Sequence, residues 1–223
     1  MGEGPRSDSD PAGGGGPVLA LLARGLELWL RQQCEAIEDL QIQLEGSTVQ
    51  LLRGRLAGVR LNARNVIFQR LEIERVELRS EPLQVRMGTL LRSQAFQLEQ
   101  PFGITGTVVF SADGLSRCLS TPPWSDLGDA LAEELLGLAP LAGLRFEGER
   151  LILRSQPVNK GQPMERSTRL LIEAGGLVLR AEPDGVDAFP RLAHLPQDAN
   201  IRFEEAEVGG GLLELRGRAR VSA

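Results

Sequence analysis

The residues able to do chemistry are few in this chain. Imidazole occurs once, at His194, within Leu192-Ala193-His194-Leu195-Pro196, and no serine or carboxylate pattern beside it suggests a general base. Lysine also occurs once, at Lys160. It follows Asn159 and precedes Gly161 without the glycine frame that a phosphate-cradling loop requires. There is no tyrosine. The two cysteines, Cys34 and Cys118, lack any metal-like spacing and are read as buried thiols. The doublets Glu133-Glu134 and Glu204-Glu205 are sequence neighbours, so on a helix or strand their side chains diverge and do not converge on one substrate atom. Most acid-base and nucleophilic catalysis is thereby removed, and the expectation is a protein that is not an enzyme and uses neither metal nor cofactor.

Charge geometry is the remaining source of chemistry. With lysine used once, the other 24 of 25 basic residues are arginines. Seven of them, from Arg53 to Arg79, face only Glu72, Glu74 and Glu77 in the same stretch, a local balance of +4 in a chain whose net charge is −5. Guanidinium forks match phosphate oxygens in pairs, so Arg53, Arg55, Arg60 and Arg64 are candidate contacts for an anionic lipid headgroup. Nucleic acid is not an expected partner: total charge is negative, and Phe68 is the one aromatic in the basic run on which a base could stack.

The elements that must position these residues are read from periodicity. Residues 1–16 hold six glycines and two prolines without apolar pattern and read as a disordered tail, ahead of one domain over 17–223. An amphipathic helix of about 18 residues is expected from Val18 to Glu35, with Leu22, Leu26 and Trp29 on its apolar side and Pro17 at its first turn. Such a helix either docks on a core or lies on a bilayer. From about residue 38 the period becomes two. Val49 and Leu51 alternate with polar neighbours, as do Val59, Leu61 and Ala63, then Val66 and Phe68, Leu71 and Ile73, and Val76 and Leu78. Parity slips at Asn65, read as a turn, and between Ile73 and Val76, read as a bulge. A strand over 104–110 precedes two short helices, the first capped by Ser111 and the second carrying Leu127, Leu131, Leu135 and Leu138. Further strands are expected over 144–154, 168–174 and 177–181, with a hairpin at Gly175-Gly176, and from Ile201 through Gly209-Gly210-Gly211 to Val221. The fold class is therefore α+β: a strongly curved antiparallel sheet packed against an N-terminal amphipathic helix and two short central helices.

Two stretches carry a resemblance. Leu56-Ala57-Gly58-Val59-Arg60-Leu61-Asn62-Ala63-Arg64-Asn65-Val66, with Leu71 to Ser80, is one. Gln100-Pro101-Phe102-Gly103-Ile104 followed by Val109-Phe110-Ser111-Ala112-Asp113-Gly114-Leu115 is the other. Together they resemble the LmeA-like phospholipid-binding family of bacterial proteins over roughly residues 18 to 220, with Asp113-Gly114-Leu115 standing where the family has Asp-Leu. The resemblance implies phospholipid binding without catalysis, on a form similar to tubular lipid-binding domains. The expected apolar groove is lined by Leu22, Leu26, Trp29, Val59, Leu61, Phe68, Ile73, Val76 and Leu78. A phospholipid or membrane surface is the expected partner. The alternative is a structural or protein-interaction domain that docks a partner through a sheet edge or the helix. The acidic, glycine-rich start lacks the basic region of a secretory signal, and no spanning helix is read, so the expected location is cytoplasmic, soluble or peripheral on a membrane.

Overall fold

The structure, a computed structural model, describes residues 16–84, 100–156, 163–183 and 191–222. The tail expected over 1–16 therefore lies outside the described residues except for Gly16, as does Lys160. Chain order runs α1 (Pro17–Gln33), β1 (Ala36–Glu45), α2 (Thr48–Leu52), β2 (Arg55–Leu56), β3 (Gly58–Phe68), β4 (Leu71–Ser80) and β5 (Leu83–Gln84). There follow β6 (Phe102–Ser111), α3 (Ala112–Leu119), α4 (Ser125–Leu136), β7 (Leu141–Glu147) and β8 (Arg150–Ser155). The last elements are β9 (Glu165–Glu173), β10 (Gly176–Ala181), β11 (Leu192–His194), β12 (Ile201–Gly209) and β13 (Leu212–Val221).

The α+β class and the antiparallel pairing are as expected, and the strands divide between two main sheets. One has the order β1-β3-β4-β6-β13-β12, the other β11-β10-β9-β8-β7, and β2 with β5 forms a short separate ribbon. A single apolar face runs across the six-stranded sheet, because the period-two leucines and valines of neighbouring strands are in register: Leu61 opposite Leu78, Ala63 opposite Val76, Val76 opposite Val108, Val108 opposite Leu215. Helix α1 covers the β1–β3–β4 part of that face, burying Leu40, Ile42, Ala63, Val66 and Val76. The five-stranded sheet with α3 and α4 covers the β6–β13–β12 part.

The opposite face is a lattice of ion pairs. Glu45 meets both Arg60 and Arg79; Arg75 reaches Glu77 and Glu214 at 3.4 Å; Arg216 meets Glu205 at 2.5 Å and Glu214 at 3.4 Å. These pairs are exposed and each contributes little to stability. Their arginine stems still cover apolar surface, and Val109 on this face is fully shielded. At Gly217 the backbone of β12 comes so close that a Cβ would stand 2.4 Å from the Arg202 carbonyl oxygen, beside a register shift between Phe203 and Glu205. A bulge opposite a residue without a side chain is the standard means of bending a sheet.

Several local readings are corrected. Val49 and Leu51 lie on α2 and not on a strand: Ser47 Oγ accepts from the Gln50 N–H, the Ser47 N–H donates to the Gln50 side chain, and this reciprocal cap outweighs a chance alternation. Asn65 is not a turn. It sits inside the continuous β3 with φ 48° and donates to Glu38 Oε2 at 2.8 Å, while the chain reverses at Gln69 and Arg70, φ 49° and 64°. No register shift separates β3 from β4 on either side of Asn65, so the two strands change parity together, and no bulge in β4 is needed to turn both Ile73 and Val76 inward. The single strand expected over 144–154 is a hairpin, β7 and β8, reversing at Gly148. The hairpin expected at Gly175-Gly176 turns one residue earlier, at Ala174 and Gly175.

Candidate functional site

Between the two sheets lies a cavity of about 170 Å³. Its walls are strand leucines that alternate inward, among them Leu151 and Leu153 of β8, Leu177 and Leu179 of β10, and Leu213 and Leu215 of β13. Its roof is formed by residues at helical spacing, Leu115 and Leu119 of α3 and Leu127 and Leu131 of α4. Trp124 also lines it and turns its one polar atom away, the indole N–H donating to the Gln69 carbonyl at 2.8 Å. An apolar void of about 150 Å³ stays dry and takes up a small hydrocarbon, so a space of this size and lining favours an apolar guest over water.

The roof is fastened by polar contacts at its edge. Ser111 Oγ caps α3 by accepting from the Gly114 N–H at 3.2 Å. Ser116 Oγ both donates to the Leu144 carbonyl and accepts from the Leu144 N–H, each at 2.8 Å. Cys118 Sγ accepts from the Glu72 N–H and donates to the Arg70 carbonyl, both at 3.2 Å. Burial pushes this thiol up, which keeps the proton that the second bond needs. Asp129 Oδ1 accepts from the Leu141 N–H at 3.2 Å and ties α4 to β7.

The strongest clasp is Arg117 on Glu72, Nε to Oε1 at 2.9 Å and Nη2 to Oε2 at 2.5 Å. The Arg117 hydrogen bond holds the Glu72 carboxyl below its ordinary 4.5, outweighing partial burial, and the carboxylate in turn raises Arg117. The unfolded chain thus takes up this proton at higher pH than the folded one. The pair's stabilisation is present above about pH 4.5 and is lost as pH falls through the folded value. Denaturant unfolding of wild type and Glu72→Gln at neutral pH and at about pH 3 is expected to show a stability gap that narrows in acid. An equal gap at both would mean that this carboxylate gains nothing from Arg117.

None of the nine residues expected to line a groove borders this cavity. Leu26, Val59, Leu61, Ile73, Val76 and Leu78 belong to the cluster between α1 and the sheet, and Leu22 joins Leu19, Leu51, Leu56 and Leu83 at the N-terminal end of α1. Ile73 also touches the core around the cavity. Trp29 and Phe68 are exposed. Of the four candidate headgroup arginines, Arg60 is paired with Glu45 on the charged outer face and Arg64 stands opposite Arg75 on β4. Arg53 ends α2, and Arg55 borders a small mixed cleft with Gln84, Gln100 and Phe102. Cys118 is buried and Cys34 half-buried, both as free thiols. His194 is exposed on β11, and among the described residues no group of three or more His, Cys, Asp or Glu is placed to hold a metal. No helix among them is long and apolar enough to cross a membrane.

A second, more polar cleft of about 520 Å³ opens between β9 and β12, bordered by Glu149, Arg169, Glu207 and Val208. Leu170 borders both spaces, so the cleft adjoins the cavity. The Arg169 guanidinium lies 3.2 Å from Glu182, a carboxylate it shares with Arg150 at 2.9 Å.

In comparison with known proteins, a family model described as LmeA-like phospholipid-binding matches residues 13–218. No curated protein and no solved structure matches the chain.

Proposed function

Because the chain belongs to the LmeA-like phospholipid-binding family, we propose that the cavity between its sheets takes the acyl chain of a phospholipid and that the protein binds this lipid without transforming it. The observation that carries this reading is the apolar, mostly leucine-lined space beneath α3 and α4. As it stands it holds a fragment of a chain; a longer one displaces α3 and α4, whose roof contacts are chiefly leucine side chains with a few edge hydrogen bonds. Each buried methylene contributes about 0.8 kcal/mol, so ten contribute about 8 kcal/mol, the free energy of micromolar binding, before any headgroup contact. That magnitude suits a chain of net charge −5, for which apolar contact is the main term.

Leu170→Trp places a large ring at the junction of cavity and cleft. Native mass spectrometry, after extraction and reloading with phospholipid, is expected to show wild type retaining lipid and this variant retaining at least about tenfold less, since even one bulky side chain in a packed space removes room for several methylenes. Undiminished lipid on the variant would move the acyl chain out of this cavity.

A further inference from the structure

Helix α1 carries more apolar surface than its packing uses. Leu19, Leu22, Leu26 and Leu30 face the core, and Arg24, Glu27 and Arg31 lie on the far side. Between them, at 100° per residue, Val18, Leu21, Leu28 and Trp29 form a third strip, and it is exposed, Leu21 to 71%. The neighbouring helix α2 also exposes Val49 and Leu52, the latter to 65%. The two helices abut: Leu19 and Leu51 share one buried cluster, and a Cβ on Gly16 would stand 2.5 Å from Thr48 Oγ1. Six of the eleven large apolar side chains exposed among the described residues thus fall on these two helices, a concentration and not the ordinary scatter of single residues.

Charge says what covers them. On the outer face of the six-stranded sheet Arg60, Arg75, Arg79, Arg216 and Arg218 are tied to glutamates, whereas Arg24 on α1 and Arg53 and Arg55 beside α2 make no ion pair among the described residues. On a chain of net charge −5, unneutralised cations beside an exposed apolar strip fit a surface that is anionic outside and apolar beneath. A two-fold pairing of this face with a second copy would instead bring these arginines near one another. We propose that the exposed strip of α1 and α2 docks the protein on an anionic phospholipid bilayer, with α1 in the plane of the headgroups, Trp29 at the interface and Arg24, Arg53 and Arg55 against phosphate. It rests on the lipid-binding reading only for the chemistry of the surface, since it uses none of the cavity residues.

The two tryptophans separate the sites, Trp29 on the strip and Trp124 at the cavity. In full-length Trp124→Phe protein, vesicles of phosphatidylglycerol and phosphatidylcholine are expected to shift Trp29 emission to the blue and brominated lipid to quench it, with pure phosphatidylcholine acting weakly. Replacing Arg24, Arg53 and Arg55 with Gln is expected to weaken partition about fivefold per arginine removed. Leu21→Gln with Leu28→Gln is expected to abolish flotation with the vesicles while lipid retention in native mass spectrometry persists. Trp29 emission unchanged by vesicles, flotation undiminished in the double variant, or a blue shift that follows protein concentration without vesicles would each overturn the proposal, the last assigning the strip to a second copy. Failure of the Leu170→Trp experiment alone would leave the vesicle results standing and count only against the cavity.

Discussion

Gly128→Ala is expected to lower the melting temperature although it improves the helix it sits in. Gly128 lies inside α4, where alanine gains about 1 kcal/mol of intrinsic propensity over glycine. A Cβ there, however, would stand 2.1 Å from the Leu119 carbonyl oxygen and 3.0 Å from its carbon. Both atoms are backbone, so no rotamer relieves the contact, and α4 must move away from α3 by most of an ångström. Forced repacking of this kind costs about 1–3 kcal/mol, and the shift also moves Leu127 and Leu131 relative to Leu119, all three of which line the cavity. The cost outweighs the propensity gain. For a chain of this length each kcal/mol lowers the melting temperature by about 2–4 °C. Thermal unfolding followed by circular dichroism checks it: a variant as stable as wild type, or more so, would show that α3 and α4 do not cross this closely.

Much of the fold was legible because period two and period 3.6 are imposed by the backbone itself. The alternation from Leu213 to Val221, the Ser111 cap and Leu127, Leu131 and Leu135 of α4 appear where their spacing puts them, whereas Leu138 falls beyond the helix, which the left-handed Gly137 ends. The misreadings share a cause: two short signals competed and the weaker-looking one won, as when the Ser47–Gln50 cap overrode the alternation of Val49 and Leu51. The site was less legible for two physical reasons. Leucines that line a void are chemically the same as leucines that fill a core, and whether Leu153 and Leu213 leave space between them depends on side-chain volumes brought from both sheets and two helices. The basic stretch from 53 to 79, for its part, was counted by sequence neighbourhood, whereas charges are neutralised across strands. Arg60 and Arg79 find Glu45, and Arg75 finds Glu214, both outside the stretch. Arg53, Arg55, Arg64 and Arg70 have no ion pair among the described residues: Arg53 and Arg55 lie beside the short β2, and Arg64 stands opposite another arginine, Arg75.

Leu153→Ala separates a hollow core from a filled one. Leu153 is fully buried on β8 and forms one wall of the cavity, opposite Leu144 on β7. Truncating a buried leucine costs about 2–5 kcal/mol, rising with the void that remains, and here that void adds to one already present, which places the expected loss in the upper part of the range. Leu40→Ala, beneath α1, removes a buried leucine of the same size from the cluster that does not border the cavity. Both variants are therefore expected to melt well below wild type. Phospholipid divides them. A ligand that binds only the folded state stabilises it by an amount set by its concentration over its dissociation constant, about 2.7 kcal/mol at a hundredfold excess. Leu40→Ala leaves that constant untouched and should gain the same stabilisation from lipid as wild type. In Leu153→Ala an acyl chain fills the space the side chain vacated, so affinity rises and the lipid-dependent gain should exceed that of wild type. Equal gains in all three proteins, measured by denaturant unfolding with and without lipid, would mean that the acyl chain does not touch Leu153.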